Sequence, residues 1–223
     1  MSITLTWYGH DAFRIGGPPV TYIDPWRLPE DVPLADIILI THEHYDHCSP
    51  EDVELLLGPD TTIVAPAAAL EKLKHVQATK HQVRAGDSLT LGHLRVEVVP
   101  AYNVNKRFHP RRAGHVGYVL ELHGVRIYHA GDTDLIPEMR SVRCDVALLP
   151  VSGTYVMDAK EAAQAVTILR PKLAIPMHYG TIVGSRKDAE RFQKLSPVPV
   201  RILEPEEILE ITPEVWRSLN REP

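Results

Sequence analysis

Residues 37–47 read Ile37-Ile38-Leu39-Ile40-Thr41-His42-Glu43-His44-Tyr45-Asp46-His47, an apolar run of strand type that opens into three imidazoles and an aspartate within the six positions 42–47. Neutral imidazole suits zinc and its neighbours, and a carboxylate among the nitrogens makes room for a second ion or an oriented water. A lone HxH would say little. HxHxDH at the end of a strand-like run points to a metal site, because a solvated histidine-rich loop has no use for that spacing.

The same arrangement recurs along the chain. Asp24 follows the apolar run 20–23, Asn103 follows 96–99, Asp132 follows 126–129, and His178 follows 173–177. Loops held at the ends of rigid strands can converge on one pocket without disturbing the core. The early chain reads as a meander of strands at 3–7, 12–15 and 20–23, broken by glycine and proline. Ser49-Pro50-Glu51-Asp52 is a helix start, and that helix is expected to end near Gly58-Pro59. Strands follow at 62–65, 88–91, 94–99, 116–122 and 125–129, and a buried one at 146–149. Asp158 and Glu161 then open a helix that Pro171 stops. A strand at 173–175, a polar helix at 185–195 and strands at 200–203 and 208–211 complete the order. Strands early and helices at both ends predict an α/β fold in which two sheets pack face to face with helices outside, a four-layer αββα sandwich. At 223 residues and 44% hydrophobic side chains, one domain over 1–223 is the economical reading.

Composition removes several classes. With 24 basic and 29 acidic residues the formal charge is −5, so a surface that tracks nucleic acid is not expected. No apolar run is long enough to span a membrane and the first residues lack a signal-peptide pattern, so a cytoplasmic location is expected. The two cysteines, Cys48 and Cys144, imply no disulfide framework, although Cys48 directly follows His47 and could lie near a metal. Oligomeric state is not legible.

Through Asp24, His42-Glu43-His44-Tyr45-Asp46-His47, Gly131-Asp132-Thr133 and Met177-His178-Tyr179-Gly180, the chain resembles the metallo-β-lactamase superfamily of metal-dependent hydrolases. Trp7-Tyr8-Gly9-His10, Tyr128-His129-Ala130-Gly131-Asp132-Thr133 and Pro176-Met177-His178-Tyr179-Gly180-Thr181 make it most similar to the ascorbate-6-phosphate lactonase-like branch. The resemblance implies His42 and His44 on a first metal, Asp46, His47 and His178 on a second, and Asp132 bridging the two. Asp24 matches the family's buried acid that fixes a ligand's orientation. Where the family usually supplies a third histidine for the first metal this sequence has Asn103, a poor zinc ligand. Asn103 fills the place weakly, or His109 or His115 substitutes, or the first position is partly empty. His10 is expected to hydrogen-bond near the cluster.

Aspartate at 132, where some true β-lactamases carry cysteine, argues against antibiotic hydrolysis, and His44, where the diiron oxidoreductases carry glutamate, favours a redox-silent site. The implied cofactor is Zn²⁺, one or two ions, with Mn²⁺ or Fe as alternatives. The implied chemistry is attack by a metal-bound hydroxide, oriented by Asp46, on an ester-type bond, a phosphodiester or lactone, in a small anionic substrate. An RNA phosphodiesterase and a non-catalytic metal-binding sensor or scaffold are the alternatives. The basic loop 105–112 supplies the reason for expecting an anion: Arg107 and Arg111, together with Tyr179 beside His178, are the candidate substrate contacts.

Overall fold

Alternating apolar residues and tight turns build an antiparallel meander of β1 (Ile3–Gly9), β2 (Ala12–Gly16) and β3 (Thr21–Ile23). The computed structural model describes residues 2–212. From β3 the chain turns to parallel pairing, through β4 (Ala35–Leu39), α1 (Pro50–Leu55), β5 (Leu57–Ala65), α2 (Ala67–Lys72) and β6 (Thr79–Gln82). A second sheet starts with β7 (Ser88–Leu91), β8 (Leu94–Pro100), β9 (Val116–Leu122) and β10 (Val125–His129), all antiparallel. It ends with β11 (Val146–Pro150), α3 (Ala159–Leu169) and β12 (Leu173–Met177), whose strands run parallel to β10. After α4 (Arg186–Leu195), β13 (Ile208–Ile211) returns to the first sheet beside β1. The orders are β13-β1-β2-β3-β4-β5-β6 and β12-β11-β10-β9-β8-β7.

The continuous apolar run of β4 is what a strand buried on both faces requires. Ile37 and Leu39 pack into the core between the sheets with Leu5, Phe13, Val96, Tyr118 and Leu148. Ile38 and Ile40 point the other way, into a second core with Val53 of α1 and Ala69 of α2. On the second sheet α3 lays Ala162, Val166 and Leu169 into the main core, from a start that the Asp158–Glu161 capping box fixes. The result is the expected αββα layering. No helix among the described residues is long and apolar enough to cross a membrane.

Two local expectations are corrected. The helix after the HxHxDH turn stops at Leu55 rather than near Gly58-Pro59, and residues 57–61 already belong to β5. Residues 200–203 form no strand; Pro199 and its neighbours give only an isolated parallel bridge between Val200 and Ala174. Two elements were not foreseen: helix α2, although Ala69, Leu73 and Val76 follow helical spacing into the second core, and the polar edge strand β6, Thr79-Lys80-His81-Gln82, which carries no apolar periodicity.

Candidate metal centre

The residues after β3, β4, β10 and β12, and the turn between β1 and β2, meet at one edge of the sandwich. The motif turn is wound tightly, with the amides of His47 and Cys48 both donating to the His44 carbonyl, at 3.1 and 2.8 Å. Lys72 of α2 donates to the Glu43 carbonyl and holds the turn from outside. His10, Asp24 and His178 all adopt positive φ, at 49°, 47° and 59°; strain of this kind persists where surrounding contacts over-determine a site. Here the His178 amide donates to the His10 carbonyl at 3.1 Å and the Asp24 amide to the Leu39 carbonyl at 3.0 Å. Gly131 lets Asp132 come in close, since a Cβ there would lie 2.8 Å from the Val116 carbonyl and 3.2 Å from the Thr41 side chain.

Two groups of ligand-type atoms flank the Asp132 carboxylate. In one, His42 Nε2 lies 3.0 Å from His44 Nδ1, which lies 3.2 Å from His109 Nε2, and His109 Nε2 is 3.1 Å from Asp132 Oδ2. In the other, His178 Nε2 lies 3.2 Å from Asp132 Oδ2, while His47 Nε2 is 3.5 Å from Asp132 Oδ1 and 3.8 Å from Asp46 Oδ2. Atoms of His10, Asp46, His47 and His178 gather within 4.8 Å of one another, as do those of His42, His109 and His115.

The partners on the far side of each ring decide which nitrogen faces inward. Asp24 accepts from the Thr41 amide at 2.7 Å, from the Thr41 hydroxyl at 2.6 Å and from His47 Nδ1 at 2.8 Å. Because the Thr41 proton goes to Asp24, its oxygen accepts from His42 Nδ1 at 2.9 Å. His109 Nδ1 donates to the Tyr155 carbonyl at 3.2 Å. Ser152 Oγ faces the Thr154 carbonyl and accepts from His178 Nδ1 at 3.0 Å. All four rings are thereby anchored through Nδ1 and turn Nε2 toward Asp132, the arrangement of metal-binding histidines whose other nitrogen is fixed by a partner.

Burial depresses His42 well below the ordinary histidine range, so its Nε2 presents a lone pair. Burial opposes a proton on His47 as well, but Asp132, Asp24 and Asp11 outweigh it and raise His47 well above that range. For Asp132 burial pushes upward, yet His178 and His47 hold the carboxyl far below the usual value. A place that draws protons onto an imidazole amid carboxylates is a place that attracts a cation. His47 Nε2 and Asp132 Oδ1 are buried without a hydrogen-bond partner, an unfavourable condition for polar atoms that a shared divalent ion would relieve. The donor set of imidazoles and carboxylates therefore suits zinc, manganese or iron.

Of the residues singled out in the sequence, His42, His44, Asp46, His47, Asp132 and His178 converge, and Asp24 anchors two of their contacts. His10 Nε2 donates to Asp46 Oδ2 at 3.0 Å. Burial pushes Asp46 up, but the His10 bond and the neighbouring His47 bring it down to about 2. The third-ligand question is answered against Asn103. Its amide donates to Asp134 Oδ1 and the Tyr155 carbonyl, and its oxygen accepts the His109 amide at 2.9 Å, so Asn103 turns away and sets up His109. His115 lies flat on His42, with ring centroids 4.7 Å apart, and its Nε2 faces Glu43 at 3.3 Å. Accordingly Asn103→His should disrupt the loop and lower metal content, as should His109→Ala. Unchanged stoichiometry in both variants, by elemental analysis, would remove His109 from the metal-holding residues.

Two further expectations are not met. Arg111 pairs with Glu138 at 2.7 Å and covers the Tyr102 ring, and Arg107 is exposed, so neither lines the metal-site cavity. Tyr179 is buried and stacks on Trp7 at 5.2 Å, outside the lining of the metal-site cavity. Cys48 turns its sulfur into the second core toward the Ala69 carbonyl, and burial pushes the thiol up to about 12. Sequence reasoning missed Asp11, a fully buried carboxyl with neither oxygen hydrogen-bonded, 3.8 Å from His47 Nδ1. Burial, with Asp132 and Asp24 adding to it against His47, lifts that carboxyl well above the usual range. It missed Asp134 too, which accepts from Asn103, Val104 and Lys106 and ties down the loop carrying His109.

A cavity of about 260 Å³ opens over the cluster, lined by His44, Asp46, His109, Asp132 and His178 together with Tyr45, Phe108, Tyr155 and Ile182. A larger cleft of about 710 Å³, around Arg126, Arg140 and Cys144, holds none of the converging ligands, so size does not identify the site here.

Two face-to-face sheets with an HxHxDH turn, an aspartate and a histidine at their shared edge define the metallo-β-lactamase class. Residues 4–178 match the β-lactamase superfamily domain, and the chain belongs to that family. A UPF0173 metal-dependent hydrolase of Thermococcus onnurineus is 36% identical over 226 residues, covering 94% of this chain and 100% of the relative. Another from Thermoplasma acidophilum is 33% identical, covering 87% and 91%. Among solved structures, a proposed metal-dependent hydrolase from Parabacteroides distasonis superposes with a TM-score of 0.80 at 34% identity, covering 90% of this chain and 92% of that one. Igni18, a metallo hydrolase from Ignicoccus hospitalis, gives 0.78 at 26% identity, covering 95% and 99%. These relatives place the chain among metal-dependent hydrolases; the narrower likeness to ascorbate-6-phosphate lactonases remains a resemblance.

Proposed function

We propose that the protein hydrolyses an ester-type bond in a small molecule with two divalent ions, zinc foremost, held side by side. His42, His44 and His109 would hold the first, Asp46, His47 and His178 the second, and Asp132 would lie between them. The observation that supports this most directly is the inward turn of four Nε2 atoms around Asp132 while each Nδ1 is engaged outside. Divalent ions in such a site acidify water toward neutrality and polarise the bond under attack. Asp46, steadied by the His10 bond to Oδ2 and ionised at neutral pH with its carboxyl held down to about 2, would also orient the attacking water. Thr41, Asp24, Ser152 and the Tyr155 carbonyl hold the imidazole rings, so the site is organised before substrate arrives.

The test combines elemental analysis with turnover of esters, lactones and phosphodiesters by protein loaded with zinc or manganese. Close to two ions per chain and turnover that chelation abolishes and metal restores are expected. Equal turnover without metal, or no retained ion, would overturn the reading.

A further inference from the structure

The walls of the metal-site cavity differ in character from its floor. Tyr45, Phe108 and Ile182 are 61%, 55% and 37% exposed, large apolar surfaces left open to water, and with Tyr155 they line this one cavity. Their positions follow from the ligands. Tyr45 lies between His44 and Asp46, Phe108 directly precedes His109, and Ile182 sits in the turn after His178. Phe108 meets Tyr155 edge to face at 4.4 Å, and Tyr45 meets Trp26 edge to face at 6.0 Å. The backbone that orients the imidazoles therefore also fixes the walls.

Cations are missing from the lining. No lysine or arginine lines the cavity among the described residues, Lys106 being bound to buried Asp134 at 2.5 Å and Arg111 to Glu138. A phosphate or carboxylate remote from the reacting bond would lose its hydration against these apolar walls with no lysine or arginine there to pair it, which is unfavourable. Volume sets the scale of what enters. A cavity of roughly 150 Å³ takes a benzene ring, so about 260 Å³ takes a ring or branched alkyl group with the reacting carbonyl and little more.

Resting on the hydrolase reading above, we propose that the substrate is a small uncharged carbonyl compound, an ester or amide, whose aryl or branched alkyl group packs among Tyr45, Phe108, Tyr155 and Ile182. The anion expected from the basic loop 105–112 is withdrawn, since that loop spends two of its cations on intramolecular carboxylates.

Isothermal titration of the zinc-loaded protein with acetohydroxamate and benzohydroxamate tests this without requiring turnover. Both probes carry the same metal-binding head and differ in methyl against phenyl. Benzohydroxamate is expected to bind about tenfold tighter or more, from the apolar area it removes from water. Phe108→Ala and Ile182→Ala should each shrink that ratio at unchanged zinc content; if Phe108→Ala also loses zinc through its neighbour His109, Ile182→Ala alone decides. Binding of both probes with equal affinity, or a ratio that Ile182→Ala leaves intact, overturns the proposed substrate class and leaves the metal centre standing. Failure of both probes to bind zinc-loaded protein overturns the metal-centred hydrolase reading, and this proposal with it.

Discussion

Asp132→Ala is expected to empty both proposed metal positions and abolish turnover. Asp132 Oδ2 lies 3.1 Å from His109 Nε2 and 3.2 Å from His178 Nε2, and Oδ1 lies 3.5 Å from His47 Nε2, so this one carboxylate faces histidines of both groups. Removing an outer partner of a ligand typically costs roughly 10- to 100-fold in metal affinity, and loss of a charged group placed between two ions should exceed that. Asp132→Asn separates charge from shape: it fills the same space but does not offset two dications, and it should retain at most one ion. Competition titration against a chromophoric chelator reads both variants. Two ions held with wild-type affinity in Asp132→Ala would refute the bridging position.

The candidate ligands legible in the sequence are those delivered by strand ends. His42, Asp132 and His178 each follow an apolar run that is a strand for packing reasons, so the run predicts the place and the residue type predicts the chemistry. The same rule put Asn103 at the edge of the site but left open whether Asn103, His109 or His115 fills the place. The Asn103 amide turns to Asp134 and Tyr155, and the ligand-type atom comes from His109, six residues further along a loop. No periodicity encodes that, because the loop's path depends on hydrogen bonds to residues about 30 and 50 positions away in the chain, Asp134 and Tyr155. The pairing of the basic loop's charges is illegible for a related reason. Charge counted along a sequence does not reveal that Lys106 and Arg111 are already paired with Asp134 and Glu138. The polar edge strand β6 was invisible because an edge strand with little buried surface needs no apolar alternation.

Asp24 separates support of the fold from support of the metal, and two substitutions should move them differently. Asp24 is fully buried and satisfies the Thr41 amide, the Thr41 hydroxyl and His47 Nδ1. Asp24→Ala leaves those donors facing a cavity. An unsatisfied buried donor costs about 1–3 kcal/mol, and such costs within one network do not add, so a loss of about 3–5 kcal/mol is expected for the metal-free protein, as for other broken buried charged networks. Against a typical total of about 5–15 kcal/mol that loss is severe. Asp24→Asn keeps the volume and one acceptor but turns an NH₂ group toward a position that now receives a proton. Where the NH₂ meets His47 Nδ1, the ring relieves the clash by moving its own proton to Nε2, which removes the lone pair facing Asp132. The asparagine variant should therefore lose less stability than the alanine variant, yet still bind metal about 10- to 100-fold more weakly than wild type. Denaturant unfolding of metal-free protein and metal titration of the same samples measure the two effects. Wild-type stability in Asp24→Ala would remove Asp24 from the fold's support, and wild-type metal affinity in Asp24→Asn would show that the proton on His47 Nδ1 does not govern what its Nε2 can bind.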